Sequence, residues 1–248
     1  MQGTHKLILA SASARRRQLL PYLCPAFGIL VADCDERGIE ADWRSTQAGL
    51  ELRSPEEQLL SYEGLGLILA RTKALASARR AQQEGLDFDY ILASDTMVLA
   101  EGRSLAKPRN RTEALSMLNT LQGREHCVLT SVYLLSSTGE AWGNTERALV
   151  YFAARGPEAL AAYVDRVQPY DKAGAYSISD PEADFVSALD GHISTVMGLG
   201  LDQTWKLLDA QGLASHRRQE RRWTRADGSQ FRSCLEGGQL RTELFIGD

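Results

Sequence analysis

The sequence contains no long hydrophobic run, which argues against a membrane-spanning helix. No stretch approaches the roughly 18–20 consecutive apolar residues that such a helix needs. The first six residues lead into only four apolar ones, residues 7–10, too few for the core of a secretory signal. We therefore expect a cytoplasmic protein with no membrane partner.

Cysteine is scarce, and no pair of cysteines has metal-ligand or redox spacing. Cys24, Cys34, Cys127 and Cys234 are far apart and form no C-x-x-C pair, which argues against a zinc knuckle or a thioredoxin-like site. The four histidines likewise show no ligand spacing. Without an export signal, we expect reduced thiols that are buried as small hydrophobic side chains.

The commonest nucleotide and hydrolase motifs are also missing. There is no Walker A segment, no G-x-G-x-x-G and no G-x-S-x-G. Composition is otherwise that of a soluble globular protein, with 44% hydrophobic and 24% charged residues and a net charge of −4. These values exclude collagen-like, globally disordered and strongly basic proteins. The 248 residues suit one large domain or two small ones.

Hydrophobic periodicity predicts helices that alternate with short strands, typical of an α/β fold with a mixed sheet. Asn110 is expected to cap one helix, with Glu113 completing a capping box. The polar residues 33–61 are expected to form a long loop or an inserted segment. The predicted strands are 6–10, 90–93, 126–135, 140–153 and 183–189, and the predicted helices are 14–20, 62–80, 110–122, 157–165 and 193–208.

Three arginines stand at the start of the first predicted helix. A helix N-terminus already carries about half a positive charge, so Arg15, Arg16 and Arg17 are unfavourable there by about 0.3–1 kcal/mol each when exposed. Their placement is explained if backbone N–H groups, the guanidinium groups and the hydroxyls of Ser11 and Ser13 bind phosphate. The alternative is a solvated arginine run with Ser13 as an ordinary helix cap.

An acidic residue, Asp95, follows the second predicted strand, and catalytic groups in open α/β sheets are often found at strand ends. A carboxylate there can bind Mg²⁺ or activate water. The alternative is a turn residue that bonds its own backbone. Two further segments, 107–108 and 171–176, carry lysines suited to phosphate, and each is a weak signal alone.

Taken together and in this order, these segments resemble the Maf family of nucleoside triphosphate pyrophosphatases, which are also described as septum-formation inhibitors. The matches span about residues 6–210 and keep the family's order and approximate spacing. They are Leu9-Ala10-Ser11-Ala12-Ser13-Ala14-Arg15-Arg16, Asp35-Glu36, Lys73-Ala74, Ser94-Asp95-Thr96, Leu105-Ala106-Lys107-Pro108, Asp171-Lys172-Ala173-Gly174-Ala175-Tyr176 and Val196-Met197-Gly198-Leu199.

The resemblance implies a curved mixed β-sheet flanked by helices, with a deep nucleotide cleft, in the fold shared with inosine triphosphate pyrophosphatases. It implies hydrolysis of a nucleoside triphosphate to the monophosphate and pyrophosphate, a divalent metal cation (Mg²⁺ or Mn²⁺) and a homodimer. This chemistry needs cations around the departing pyrophosphate and a carboxylate that acts on water. The alternatives are a 7-methyl-GTP-type pyrophosphatase and a non-catalytic nucleotide-binding regulator of cell division.

The resemblance also implies roles for individual residues. Asp95 matches the family's proton acceptor, and Glu36 would hold the metal together with it. Asp171 would orient Lys172 or contribute to the metal site. The residues expected to bind the triphosphate are Ser11, Ser13, Arg16, Lys73, Lys107, Asp171 and Lys172.

Three positions separate the family's dTTP/UTP subgroup from its 7-methyl-GTP subgroup. Arg15 and Thr96 match the pyrimidine subgroup, whereas the other subgroup usually has Trp and Gln there. Ser179 matches neither the Gln of the first nor the Glu of the second, and its hydroxyl reaches less far than a carboxamide. We therefore expect a preference for dTTP and UTP, or for modified pyrimidine nucleotides.

The resemblance covers residues 1–212 as one catalytic domain with an insertion within 37–61. Residues 213–248 are expected to form a basic C-terminal extension, a β-meander with a turn at Asp227-Gly228. Its arginines and Trp223 offer RNA binding as an alternative, because basic and aromatic side chains together bind phosphates and bases. A solvated face or a dimer contact is the plainer expectation.

Overall fold

A computed structural model describes residues 5–47, 54–180, 183–215, 219–224, 230–236 and 239–245. The strands of its main sheet are β1 (His5–Leu9), β2 (Gly28–Ile29), β3 (Phe88–Ala100), β4 (Arg103–Leu105), β5 (Glu125–Ser136), β6 (Ala141–Phe152) and β7 (Val186–Asp190). The seven strands are ordered β2-β1-β3-β5-β6-β7, with β4 paired to β3. The β1 strand is parallel to β2 and β3, whereas β4 is antiparallel to β3 and β7 to β6. This mixed sheet confirms the predicted fold class.

The sheet is accompanied by helices. They are α1 (Ala14–Leu19), α2 (Glu36–Gln47), α3 (Pro55–Glu84), α4 (Arg111–Leu121), α5 (Pro157–Val167), α6 (Ile193–Met197) and α7 (Leu201–Asp209). All of them except α2 have buried residues. Asn110 caps α4 as predicted, because its side chain accepts the backbone N–H of Glu113. The predicted capping box is wrong, since the Glu113 carboxylate accepts the N–H of Arg109 rather than that of Asn110. Among the described residues, no helix is long and apolar enough to cross a membrane.

The long loop expected over 33–61 is wrong, since α2 and the first turns of α3 lie there. Ser54 and Glu57 form a reciprocal capping box, and α3 starts at Pro55, seven residues before the predicted start at 62. The α2 helix buries none of its residues, and its polar composition led us to predict a loop instead of a helix. Trp43 of α2 lies against Tyr62 of α3, with ring centroids 4.9 Å apart.

The single helix predicted over 193–208 is also wrong. Gly198, Leu199 and Gly200 separate α6 from α7. Gly198 has a φ of +102°, a conformation that interrupts a right-handed helix. The apolar positions continue across the break, which explains why periodicity alone predicted one helix.

The chain divides into two compact units. The first comprises Met1–Asp95, Thr130–Glu146 and Gly198–Ser215, and the second comprises Thr96–Leu129, Arg147–Met197 and His216–Asp248. Ile8, Ile91 and Ala74 are fully buried in the core of the first unit, where β1, β3 and α3 meet. The second unit contains a cluster of aromatic rings from His126, Phe152, Tyr163, Tyr176 and Phe185.

The C-terminal stretch contains three antiparallel strands. They are β8 (Gln219–Thr224), β9 (Gln230–Glu236) and β10 (Gln239–Phe245), in the order β10-β9-β8. The predicted turn at Asp227-Gly228 lies outside the described residues. The domain boundary at 212 and the role of this extension stay predictions.

The cysteines with described side chains, Cys24, Cys34 and Cys127, are all free thiols. Only Cys24 is buried, whereas Cys34 and Cys127 are half-exposed, so the expectation of burial is wrong for these two.

Candidate active site

Asp95 lies within β3 rather than directly after a strand, because β3 continues to Ala100. The parallel pairing of β1 with β3 nevertheless ends at Leu92, whose carbonyl accepts the N–H of Ala10 at 2.8 Å. The antiparallel pairing with β4 begins only at Val98. Asp95 therefore lies beyond the carboxyl end of β1, and its residue surface is only 6% exposed.

The Lys73 ammonium group joins two carboxylates. Its Nζ lies 2.6 Å from Asp95 Oδ1 and 2.8 Å from Glu36 Oε2. Burial and the nearby Arg16 lower the pKa of Lys73, but Asp95 and Glu36 outweigh them and raise it above its usual value. Lys73 on α3 is therefore cationic at neutral pH, and it links β3 to the first turn of α2.

Two hydrogen bonds fix the Arg16 guanidinium. Its Nε donates to the carbonyl oxygen of Gly198 at 2.7 Å, and its Nη1 donates to Ser11 Oγ at 3.2 Å. Burial lowers the pKa of Arg16, and the attraction of Asp95 opposes that shift. A guanidinium stays charged in proteins, so Arg16 supplies a second fixed cation close to Asp95.

The serines before α1 are hydrogen-bonded within their own loop. Ser13 caps α1 by accepting the N–H of Arg16 at 3.4 Å, and Ser11 Oγ accepts the N–H of Ser13 at 3.2 Å. The ordinary helix cap that the sequence left as an alternative is therefore present. A hydroxyl that accepts one or two hydrogen bonds can still donate its own hydrogen, so phosphate binding by either serine stays a prediction.

Arg15 carries a polar atom without a partner. Its Nε is buried and has no hydrogen-bond partner among the described residues. Leaving a buried donor unpaired costs about 1–3 kcal/mol. A ligand atom that accepts from this N–H would remove that cost.

In the second unit, the two lysine-bearing segments are neighbours, because Gly174 N–H donates to the carbonyl of Ala106 at 3.3 Å. Lys172 pairs with its neighbour Asp171, with Nζ 2.6 Å from Oδ1, and the orienting role of Asp171 stays a prediction. Gly174 has a φ of +68°, and a Cβ added there would lie 3.0 Å from Val98 Cγ1. Glycine is therefore required where this turn meets β3.

The remaining predicted residues also belong to the second unit. Lys107 is exposed, and Thr96 is half-buried immediately after Asp95. Ser179 Oγ lies 3.1 Å from Ser177 Oγ, so a second serine hydroxyl contacts this specificity position. Their roles toward a nucleotide stay predictions.

Several residues near Asp95 escaped the sequence analysis. Ser94 is fully buried, and its hydroxyl donates to the Gly198 carbonyl at 2.9 Å. Glu40 lies one helical turn after Glu36, and burial raises its pKa while its partner Arg44 opposes the shift. The E-x-x-x-E spacing could have revealed Glu40 only if α2 had been predicted as a helix.

Glu36 and Asp95 are the candidate metal ligands. Among the described residues, no group of three or more His, Cys, Asp and Glu side chains is placed to hold a metal ion. Two carboxylates that already share one cationic partner do suit Mg²⁺, which commonly takes one or two protein carboxylates and completes its shell with phosphate oxygens and water. The residues therefore fit a metal that arrives with a phosphorylated substrate.

Comparisons with known proteins identify the family of this chain. A family model described as Maf-like protein matches residues 6–211. A dTTP/UTP pyrophosphatase of Burkholderia pseudomallei strain 1710b is 38% identical over 207 residues, covering 83% of this chain and 93% of its own. A dTTP/UTP pyrophosphatase of Nitrosomonas europaea is 35% identical over 209 residues, covering 84% of this chain and 95% of its own.

Among solved structures, a nucleoside-triphosphatase (dITP/XTP pyrophosphatase) from Mycobacterium abscessus covers 62% of this chain and 76% of its own, at 12% identity. Its TM-score of 0.31 is too low to support a structural argument. Sequence similarity establishes the family, because the family model and both bacterial relatives cover more than four-fifths of the chain. The chain therefore belongs to the family of Maf-like proteins.

Proposed function

We propose that this chain is a nucleoside triphosphate pyrophosphatase, which cleaves between the α and β phosphates and releases a nucleoside monophosphate and pyrophosphate. The observation that carries the proposal is the cluster in which Lys73 is ion-paired to both Asp95 and Glu36, with Arg16 fixed nearby. The relatives are named dTTP/UTP pyrophosphatases, which supports the same activity.

Asp95 accepts the proton of the attacking water. A carboxylate can act as a general base when it lies within hydrogen-bond reach of the water that it deprotonates. Lys73 holds Oδ1 of Asp95, and the surrounding β3 residues are buried, so this carboxylate has a fixed position. A fixed base loses little entropy when the substrate binds.

Arg16 and Lys73 neutralise the triphosphate. An ammonium group has three N–H donors, and among the described residues Glu36 and Asp95 take two of those on Lys73. The third can donate to a phosphate oxygen. Arg16 presents a planar guanidinium, which suits phosphate oxygens, and Ser11 and Ser13 donate their hydroxyl hydrogens at the start of α1.

Glu36 and Asp95 would hold a divalent cation, Mg²⁺ or Mn²⁺, which when bound neutralises charge on the departing pyrophosphate. Glu36 is the more exposed of the two ligands, with 44% of its side-chain surface open against 9% for Asp95. Glu36 is therefore the ligand that can adjust when substrate enters, while Asp95 stays in place.

Lys107 and Lys172 also bind phosphate in this proposal, with Asp171 orienting Lys172. Their proposed role rests on their chemistry and on the adjacency of the two segments. Replacing either lysine with alanine is expected to raise the KM for the triphosphate more than it lowers kcat.

The preferred substrates are dTTP and UTP or modified pyrimidine forms. The unpaired Nε of Arg15 supports a ligand contact at that specificity position. A panel of canonical and modified triphosphates, assayed for pyrophosphate release with Mg²⁺ or Mn²⁺, tests the activity and the preference together. Preference for 7-methyl-GTP would overturn the base assignment. Nucleotide binding without pyrophosphate release would favour a non-catalytic regulator.

The family resemblance also leads us to expect a cytoplasmic homodimer, with residues 213–248 as an extension to the catalytic domain. Light scattering coupled to size-exclusion chromatography tests the dimer. Binding of a labelled oligonucleotide before and after deletion of residues 213–248 tests the RNA alternative.

A further inference from the structure

Helix α7 begins without a capping side chain of its own. Its N-cap residue, Gly200, has no side chain, and the N–H of Gln203 in the first turn is instead bound by Glu146. Glu146 Oε2 lies 3.3 Å from that nitrogen, although Glu146 belongs to β6 and is 57 residues away in the chain. Gln203 is the third residue of α7, the position whose N–H a cap normally binds.

Glu146 and Gly200 occupy each other's space. A Cβ added at Gly200 would lie 2.5 Å from Glu146 Oε2, closer than atoms can approach without a shift. Glu146 is itself only 9% exposed. The carboxylate therefore stands where a capping side chain at position 200 would otherwise stand.

The turn before this cap carries the contact that fixes Arg16. The carbonyl oxygen of Gly198 accepts both Arg16 Nε at 2.7 Å and Ser94 Oγ at 2.9 Å. Leu199, between Gly198 and Gly200, is fully buried, so the three-residue turn has no room to shift without disturbing the core. The position of the Gly198 carbonyl thus depends on where α7 begins.

We propose that Glu146 is a positioning residue, which holds the start of α7 and through the 198–200 turn aims the Arg16 guanidinium at the triphosphate. The proposal rests on the proposed function, because it takes Arg16 as a phosphate-binding residue. In this proposal Glu146 acts without touching the substrate or the metal. Its effect on the reaction passes through the Gly198 carbonyl.

The test is a double-mutant cycle between Glu146→Ala and Arg16→Lys. In the wild-type background, Glu146→Ala is expected to raise the KM for dTTP on the order of tenfold and to change kcat less, because substrate binding depends on the aim of Arg16. In the Arg16→Lys background the same change is expected to raise KM less than about twofold, since lysine cannot make the two guanidinium contacts.

A second-site variant separates positioning from general stability. In Glu146→Ala, the space beside position 200 is open, and the φ of −63° and ψ of 102° at Gly200 are compatible with serine. Gly200→Ser then supplies a hydroxyl cap to the Gln203 N–H. This double variant is expected to recover both the Tm and the KM. Glu146→Gln keeps an acceptor oxygen, so its Tm and KM are expected to lie between those of wild type and Glu146→Ala. It replaces the alanine variant in the test if that variant fails to fold.

We would also measure the dissociation constant of a non-hydrolysable triphosphate with the same variants. This measurement distinguishes failure of the Glu146 proposal from failure of the proposed function. If the wild-type protein binds the analogue but releases no pyrophosphate, the proposed function fails while the cycle still reports on Glu146. An unchanged KM and dissociation constant in Glu146→Ala with a lowered Tm would show a merely structural cap. If Glu146→Ala raised the KM equally in the wild-type and Arg16→Lys backgrounds, that result would also overturn the proposal.

Discussion

The Nζ atom of Lys73 lies 2.6 Å from Oδ1 of Asp95, and only 15% and 9% of the two side chains are exposed. Removing one partner of a shielded ion pair leaves an uncompensated charge, which costs about 3–5 kcal/mol when the pair is buried. Changes at either residue can therefore alter stability as well as chemistry. Variants that keep the shape of the side chain are the informative ones.

Lys73→Met tests the proposed metal ligands. Removing the ammonium leaves Glu36 and Asp95 without their shared cation, so we expect Mn²⁺ to bind more tightly in the absence of nucleotide. We also expect the KM for dTTP to rise by about tenfold or more, because a phosphate-binding cation is lost. Titration calorimetry with Mn²⁺ and steady-state kinetics measure the two effects.

The matched control for that variant is Lys206→Met. Lys206 is exposed, and its ion-pair partner is Asp202 on α7 rather than a candidate metal ligand. Its replacement removes the same charge and is expected to leave the Mn²⁺ affinity unchanged. Equal Mn²⁺ affinities in Lys73→Met and wild type would contradict Glu36 and Asp95 as ligands.

The Trp43–Tyr62 contact is expected to hold Glu36 in place. Since α2 buries none of its residues, it is attached to α3 by this ring contact, by the hydrogen bond from Ser61 to Gln47 at 3.0 Å and by the Lys73–Glu36 ion pair. Tyr62→Ala is expected to weaken Mn²⁺ binding several-fold and to lower the free energy of unfolding by about 0.5–1.5 kcal/mol. Tyr62→Phe keeps the ring and should resemble wild type. Equal metal affinity in both variants would show that α2 is held by other contacts.

Buried His126 is expected to make the protein less stable in mild acid. Burial lowers the pKa of His126 to about 4, and its Nε2 lies 2.8 Å from Tyr176 Oη. The unfolded chain binds this proton near pH 6.5, so between about pH 6.5 and 4 it holds more protons than the folded chain. The free energy of unfolding therefore falls as the pH drops through that range, by about 2 kcal/mol between pH 7 and 5.

His126→Phe is expected to remove that share of the pH dependence, because phenylalanine does not titrate. Tyr176→Phe deletes the hydrogen-bond partner but leaves the histidine, so it should keep the pH dependence while lowering stability at every pH. Urea unfolding at pH 7 and pH 5 measures the difference. The same slope in His126→Phe and wild type would show that other groups cause it.

Gly174→Ala is expected to disturb the turn that carries Lys172. Alanine is strained by about 1–2 kcal/mol at the φ of +68°, and its Cβ would crowd Val98, adding about 1–3 kcal/mol. Gly85→Ala is the matched control, because its φ is +65° and nothing lies within 4 Å of the added Cβ. Unfolding free energies compare the two. If Gly174→Ala lowered the free energy of unfolding no more than Gly85→Ala does, crowding against Val98 would be excluded.

Residues carried by short motifs were predictable from the sequence, since their chemistry and order are local. Asp95, Lys73 and the Ser11–Arg16 segment are such residues. The ion pair between Lys73 and Asp95 could not be predicted, because it depends on how α3 lies against β3. Glu146 gave no signal at all, since its partner is a helix N-terminus 57 residues away.

Secondary structure shows the same division. The cap of α4 was predicted because Asn110 and Glu113 meet within one turn. The α2 helix was missed because its composition is strongly polar and none of its residues is buried. The break at Gly198 was missed because the apolar residues on both sides are buried, whereas the glycine conformation that ends α6 leaves no periodic signal.

Pyrophosphate release by Asp95→Asn tests the central claim most directly. Asparagine keeps the shape of the side chain and an oxygen for Lys73, but it is a poor base, so we predict a loss of at least about 100-fold in kcat. Retained binding of a non-hydrolysable triphosphate and a native near-ultraviolet circular dichroism spectrum would show that the fold persists. A folded Asp95→Asn protein that hydrolyses dTTP at the wild-type rate would contradict the account.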